Sequence, residues 1–409
     1  MLFPSELGMH RRYDLDWVRV CAFGVLVLYH VGMYYVTWSW HVKSPFASTT
    51  LEPLMMLSSP WRLSLLFLVS GVATAFLFGG AAGIDPDAGT KRRLLGARSW
   101  RLLVPLAFGI AVVVPPQSYY EVVEQLTGGY HAGYLAFLGQ YFTGYDGFCD
   151  AEGCLYVPTW NHLWFIAYLW AYTAVLWLIW ALAPRALQNL GRLLERPLSG
   201  LGALILPALL LGALRIALAS RFEQTHALID DWYSHAQYFS VFLLGFLLAR
   251  AAPFWDALAR LRWLALLLWL ASWAGLLAYF HAYADADPAE LLRMAMRAAW
   301  GLDQWCAIVA VLGFARHWSP GDSRALRYLV PAVFPVYILH QTIIVVAAYN
   351  MKPLGLTPAV EGPLLVLMTF VLAFGLYEVI RRVRWLRPLF GLKLGRATPA
   401  RLPATSGNA

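Results

Sequence analysis

Arg19 and His30 lie eleven positions apart in one apolar run, Asp16-Trp-Val-Arg-Val-Cys-Ala-Phe-Gly-Val-Leu-Val-Leu-Tyr-His30. Eleven residues are about three α-helical turns, so both side chains leave the same stripe, with the histidine roughly 16 Å further along. If that helix crosses a bilayer, the guanidinium sits at a membrane face and the imidazole near the midplane. An ionisable group at that depth is costly and reads as functional. A second pair, Arg98 and Arg101, stands at i and i+3 just before a later apolar run. The two share a face at a helix mouth, and the planar fork of arginine suits phosphate. With Arg19 at the same depth, three guanidinium groups form one candidate anion site. The adjacent Lys91, Arg92 and Arg93 read as ordinary flanking charge.

More polar groups interrupt later apolar runs. His162 opens one run in Trp160-Asn-His-Leu-Trp-Phe165, and His340 sits inside another in Pro335-Val-Tyr-Ile-Leu-His-Gln341. His340 lies nine residues past Pro331, roughly 13–14 Å deep in a helix and close to the level of His30. Two midplane histidines on different helices imply a polar cavity inside the bundle rather than lipid contact. Tyr377 and Glu378 fall near the inner end of the last run. Asp16 and Arg19 also fit a plain i,i+3 pair at a helix entrance, beside Asp14. His235 reads as interfacial. Ser70 and Gly71, after Trp61-Arg62, read as close-packing residues.

Coenzyme A carries phosphates at one end and a thioester at the end of a long arm. Arg19, Arg98 and Arg101 suit the nucleotide part, and the arm then brings the thioester beside His30. A neutral imidazole there takes the proton from an acceptor hydroxyl arriving from the other side. The tetrahedral oxyanion needs donors, for which His340, Gln341 and Tyr337 are the candidates. His30 as a nucleophile, passing through an acyl-histidine, is the other route.

The elements that must hold these groups are apolar. The 409 residues are 60% hydrophobic and only 13% charged, against about 25% charged in soluble domains. This is the composition of an all-α polytopic membrane bundle. Ten blocks of spanning length can be read, near 15–38, 58–80, 102–124, 160–182, 200–219, 234–250, 263–283, 300–316, 331–349 and 362–380. The sixth and eighth are short. Of the 31 Lys plus Arg, 24 fall in Arg19 and one alternate set of connections and tail, which places that set and both termini in the cytoplasm. The other connections hold acids such as Asp230, Asp231, Asp285, Asp287 and Glu290.

Cys149 and Cys154 then lie outside, where a disulfide across their small loop persists. Two thiols alone make a poor zinc site, so neither a metal nor a resident cofactor is expected. Cys21 and Cys306 read as buried packing residues. The net charge of +8 is spread over many short connections, so no nucleic-acid partner is expected.

Asp14-Leu-Asp-Trp-x-Arg19, followed by Tyr29-His30-Val-Gly, resembles the start of the membrane acyltransferase family 3. So do Arg98-x-x-Arg101, the Trp61–Gly71 run, His162-Leu-Trp-Phe165 and Tyr337-x-x-His340. Within that family the chain looks most similar to the glucan biosynthesis protein C-like branch, linked to succinylation of periplasmic glucans. The resemblance implies a multi-pass protein of the bacterial inner membrane. It would move an acetyl or succinyl group from cytoplasmic acyl-CoA to a hydroxyl of an extracytoplasmic carbohydrate or glycolipid, among membrane lipids. It implies a catalytic role for His30 and donor binding by Arg19, Arg98 and Arg101. His162, Tyr337 and His340 are further substrate-binding candidates. The expected limits are a cytoplasmic segment 1–14, a transmembrane domain 15–385 and a tail 386–409 that is disordered at its end. A transporter or flippase also fits midplane polar residues, but no matching pair of Gly/Pro-broken segments stands in two halves. A non-catalytic assembly or sensor protein leaves the Arg19/His30 stripe unexplained.

Overall fold

The computed structural model describes residues 11–79, 88–150, 153–318 and 321–395. Ten principal helices correspond to the apolar blocks, the third of which is broken: α1 (Tyr13–Tyr35), α2 (Arg62–Gly79), α3 (Ala88–Phe108), α4 (Trp164–Leu182) and α5 (Gly202–Leu218). There follow α6 (Trp232–Leu247), α7 (Ala252–Ala282), α8 (Glu290–Trp318), α9 (Arg324–Met351) and α10 (Pro358–Arg382). No strand forms among the described residues, where the sole β-type pairing is an isolated bridge between Cys149 and Cys154. The protein is an all-α multi-pass membrane bundle.

Among the described residues, eight helices are long and apolar enough to cross a membrane. The other two, α5 and α6, have 17 and 16 residues, or about 24–26 Å at 1.5 Å per residue, short of the roughly 30 Å hydrocarbon core. The short α6 is held by a reciprocal glycine crossing. Gly71 of α2 meets the backbone of Phe242, and Gly245 of α6 meets the backbone of Leu68, so a Cβ at either position would collide with main chain. That close approach is what small residues permit between membrane helices. The eighth block was expected to be short, yet α8 runs for 29 residues. Arg293 and Arg297 lie in its first turns, paired with Glu290. Apolar blocks stop at charges, but helices continue past them. The same holds for α3, so Arg98 and Arg101 stand inside this helix rather than before it.

The third block is not one straight span. Its helix passes into a wide turn at Gly109–Val113, with the Val114 amide donating to the Gly109 carbonyl at 2.8 Å. Pro115 and Pro116 then open a separate helix, Pro115–Gln125, whose first turn has no need of their missing N–H groups. This break buries Gln117 and Ser118 completely. Past α1 the chain folds back on itself. The Ser44 and Ser48 amides donate to the Tyr34 and Tyr35 carbonyls, and Lys43 Nζ donates to the Met33 and Trp38 carbonyls at 2.8 and 2.6 Å. A cation thus satisfies carbonyls at a helix C-terminus, and Ser39, Trp40 and His41 are laid over the bundle.

Cys149 and Cys154 are joined by a disulfide. Cys306 is buried, but Cys21 is exposed: it faces outward from α1 on the bundle's surface, as does Leu28. In the tail, a short helix Leu386–Leu389 leads to Phe390, which is buried against Phe108. Residues 386–395 therefore pack on the bundle, while the rest of the tail and residues 1–10 lie outside the described residues.

Candidate active site

Three of the sequence-predicted residues converge at one point. His30 Nδ1 lies 2.7 Å from His340 Nε2, with the two rings stacked at 4.9 Å and 13°. His162, from the short turn before α4, sets its ring edge-on to His340 at 5.2 Å. The tautomers follow from the partners. His340 Nδ1 is 2.6 Å from the Tyr337 carbonyl; a carbonyl only accepts, so Nδ1 carries the proton. His340 Nε2 is then the acceptor, and His30 Nδ1 donates to it. The lone pair of His30 is left on Nε2. A backbone carbonyl and a neutral histidine thus orient the imidazole of His30, as a carboxylate does elsewhere.

His30 lines a cavity of about 440 Å³, within the usual range for a small-ligand site. Its walls include Trp40, Trp160 and Trp164, with Ser39, Thr159 and Asn161 among the short polar groups. His162 and Tyr337 also line it, but their polar atoms are engaged. The Tyr337 hydroxyl donates to the His162 carbonyl. His162 Nε2 donates to the Ile338 carbonyl at 3.1 Å. His340 is fully buried behind His30 rather than open to the cavity. Gln341 donates to His41 Nε2 at 2.7 Å and Gln117 Oε1 at 3.2 Å. The groups expected to stabilise an oxyanion are therefore occupied as structural donors.

Arg62 is different. It opens α2, is 6% exposed, and holds its guanidinium 3.2 Å from the centre of the Tyr29 ring. Its Nε and Nη1 have no hydrogen-bond partner among the described residues, and it lines the same cavity as His30. Two further histidines, His41 and His226, cover the cavity together with Trp40. His41 Nδ1 donates to Glu121 Oε2 at 2.6 Å. His226 stacks on Trp164 at 4.0 Å, and burial pushes its imidazole below the ordinary histidine range despite the nearby Asp231 carboxylate. Asp231, itself fully buried, pins that loop by accepting from Tyr168 Oη at 2.5 Å and from the His226 amide at 3.0 Å.

At the other end of α1, Arg19, Arg98 and Arg101 lie within electrostatic reach of one another. Arg98 is 4% exposed. Asp16 sits 3.8 Å from Arg19 and 2.8 Å from Arg11, so the expected i,i+3 pair is present as part of a larger network. Glu378 pairs with Arg381 and Arg382 at 2.7 and 2.8 Å, and His235 bridges Tyr172 and the Leu228 carbonyl. Neither belongs to the cavity. The described residues hold no group of His, Cys, Asp and Glu suited to a metal ion.

An acyltransferase domain model matches residues 12–378, almost the whole bundle and every residue just named around His30. The chain belongs to acyltransferase family 3. It is an acyltransferase of the membrane, acting on groups other than aminoacyl groups. The match does not separate the branches of the family. No curated protein and no solved structure matches the chain.

The cavity draws on residues that spacing along one helix does not reveal. Arg62 stands in the sequence only as a neighbour of Trp61, ahead of the close-packing Ser70 and Gly71. His41, Gln117, Glu121 and His226 lie in turns and short helices, and reach the site only through the fold-back after α1, the break at Pro115 and the loop held by Asp231. His41 and His226 fall outside the apolar blocks, whereas Gln117 and Glu121 are polar interruptions of the third, after Pro115-Pro116.

Proposed function

We propose that this acyltransferase moves a short acyl group, acetyl or succinyl, from acyl-CoA to a hydroxyl of an extracytoplasmic glycan or lipid-linked acceptor. The donor reaches the cavity from the arginine-rich end of the bundle, the cytoplasmic side of a bacterial inner membrane. Both termini lie on that side, and ten helices span. The acceptor enters beneath the lid of Trp40, His41 and His226. Flat indole faces beside short polar groups suit a sugar ring.

The observation that carries this reading is the His30–His340–Tyr337 relay. As the acceptor oxygen attacks the thioester carbonyl, His30 Nε2 takes its proton. The imidazolium so formed keeps its Nδ1 proton on His340 Nε2. Negative charge collects on the carbonyl oxygen, and the unengaged nitrogens of Arg62 answer it. Collapse breaks the carbon–sulfur bond, and His30 returns the proton to the departing thiolate. The products are the ester and free coenzyme A.

Thiol release from a panel of acyl-CoA donors tests this, with protein in nanodiscs and glucan oligomers as acceptors. One donor is consumed by the wild type and not by His30→Ala. Transport of a solute with no thioester consumed would replace this reading with the transporter.

A further inference from the structure

A second pocket, of about 920 Å³, opens where the tail folds back against α9 and α10. Arg327, Arg381, Arg382, Arg384 and Arg387 line it. Among the described residues two carboxylates answer them: Asp322 pairs with Arg327 at 2.9 Å, and Glu378 takes both Arg381 and Arg382. Among the described residues, Arg384 has no carboxylate partner and Arg387 Nε is buried without a hydrogen-bond partner. The site is built rather than a loose fringe of charge. Tyr328 and Tyr377 form an aromatic wall under Arg381, at 5.6 and 5.9 Å. Arg387 Nη2 donates to the Gly395 carbonyl at 2.9 Å, which holds the folded tail. Gly391, at φ 69°, has no room for a side chain because Phe334 and the Arg101 carbonyl lie against it. The tail segment thus runs between this pocket and the helix carrying Arg98 and Arg101.

We infer that this pocket binds phosphate, and that its ligand is the nucleotide end of the donor thioester. The inference rests on the reading of acyl-CoA as donor. A surplus of guanidinium forks beside aromatic rings is the chemistry of a phosphorylated nucleoside. The reach also fits. Pro331 and Arg327 stand nine and thirteen residues before His340 on α9, or roughly 14–20 Å along the helix. The pantetheine arm has roughly thirteen bonds from phosphorus to sulfur, equal to four or five extended residues, or ~15 Å. Measured along the axis of α9, a nucleotide seated here has an arm long enough to bring its thioester to the level of His30.

The anionic headgroup of a phospholipid offers the same phosphate chemistry, so the test separates the two. Adenosine 3′,5′-bisphosphate is titrated into the full chain in nanodiscs of neutral lipid and of anionic lipid. The wild type binds it in both. Arg384→Gln and Arg384→Gln/Arg387→Gln weaken that binding, the double variant about tenfold. KM for acyl-CoA rises by a similar factor, and the advantage of acyl-CoA over an acyl thioester of N-acetylcysteamine, which lacks the nucleotide, shrinks with it. The single variant alters an exposed side chain without a carboxylate partner, so its folding is not in question. Bisphosphate binding that both variants leave untouched overturns the assignment. So does a wild type that binds no bisphosphate but retains anionic phospholipid through Arg384. If the wild type consumes no acyl-CoA at all, the donor reading itself fails. If it does and KM is unmoved in the variants, only the pocket fails.

Discussion

Two of the four histidines that line the cavity, His30 and His41, differ in what holds them. His30 Nδ1 donates to a neutral imidazole, His340, and its Nε2 is left for a substrate. His41 Nδ1 donates to a carboxylate, Glu121, and its Nε2 already accepts from Gln341. A carboxylate beside an imidazole is the more familiar mark of a catalytic base, so His41 is the residue that pattern-matching alone would choose. The hydrogen-bond count chooses His30. His41 has both nitrogens satisfied and ties the fold-back segment to the helix after Pro115, whereas His30 has one nitrogen in use and one basic nitrogen to offer.

The largest test of that contrast is to remove each ring. His30→Ala should lower thiol release by roughly 10³-fold or more, at the upper part of the range for a general base. His41→Ala should cost less than about tenfold, since it loosens the lid without removing the base. Equal losses would erase the distinction. Arg62→Met comes next, with an expected drop in kcat of about 10²-fold, the scale of losing one oxyanion donor. Arg62→Lys should recover part of it, because the charge is kept and the fork is lost.

His340→Gln sharpens the contrast further. A glutamine oxygen can still accept from His30 Nδ1, so kcat should fall by ~10-fold, and His340→Ala by more. A structural role alone would lower the yield of folded protein and leave kcat per folded molecule unchanged. Glu121→Gln is a small effect on the other side of the comparison. Its amide can still accept from His41, so activity should stay within a few fold. Smallest is the paired Cys149→Ser/Cys154→Ser change, which should lower thermal stability and leave kcat within about twofold, because that loop lies outside the cavity lining.

The difference between the two histidines also marks what could be read from the chain alone. Helical periodicity turns spacing into depth, so the stripe from Arg19 to His30 was legible. The equal depth of His340 was legible too, and the structure brings the two rings together. The all-α membrane bundle followed from composition and block length. The roles within the site did not follow, because hydrogen-bond partners are a tertiary property. Nothing local says that the Tyr337 hydroxyl is spent on the His162 carbonyl, or that Gln341 serves His41 and Gln117. Arg62 was hidden for the same reason: its partners are a ring from α1 and a cavity. Helix ends were misread where charge and helix overlap, as at Arg98, Arg101, Arg293 and Arg297.

His30 and His340 act as one unit. Thiol release from the preferred acyl-CoA, measured for wild type, His30→Ala, His340→Gln and the double variant in nanodiscs, tests it directly. Groups that act as a unit lose their effects non-additively. The double variant should therefore be no slower than His30→Ala alone. Losses that multiply, with the double variant slower than His30→Ala by the full His340→Gln factor, would contradict it.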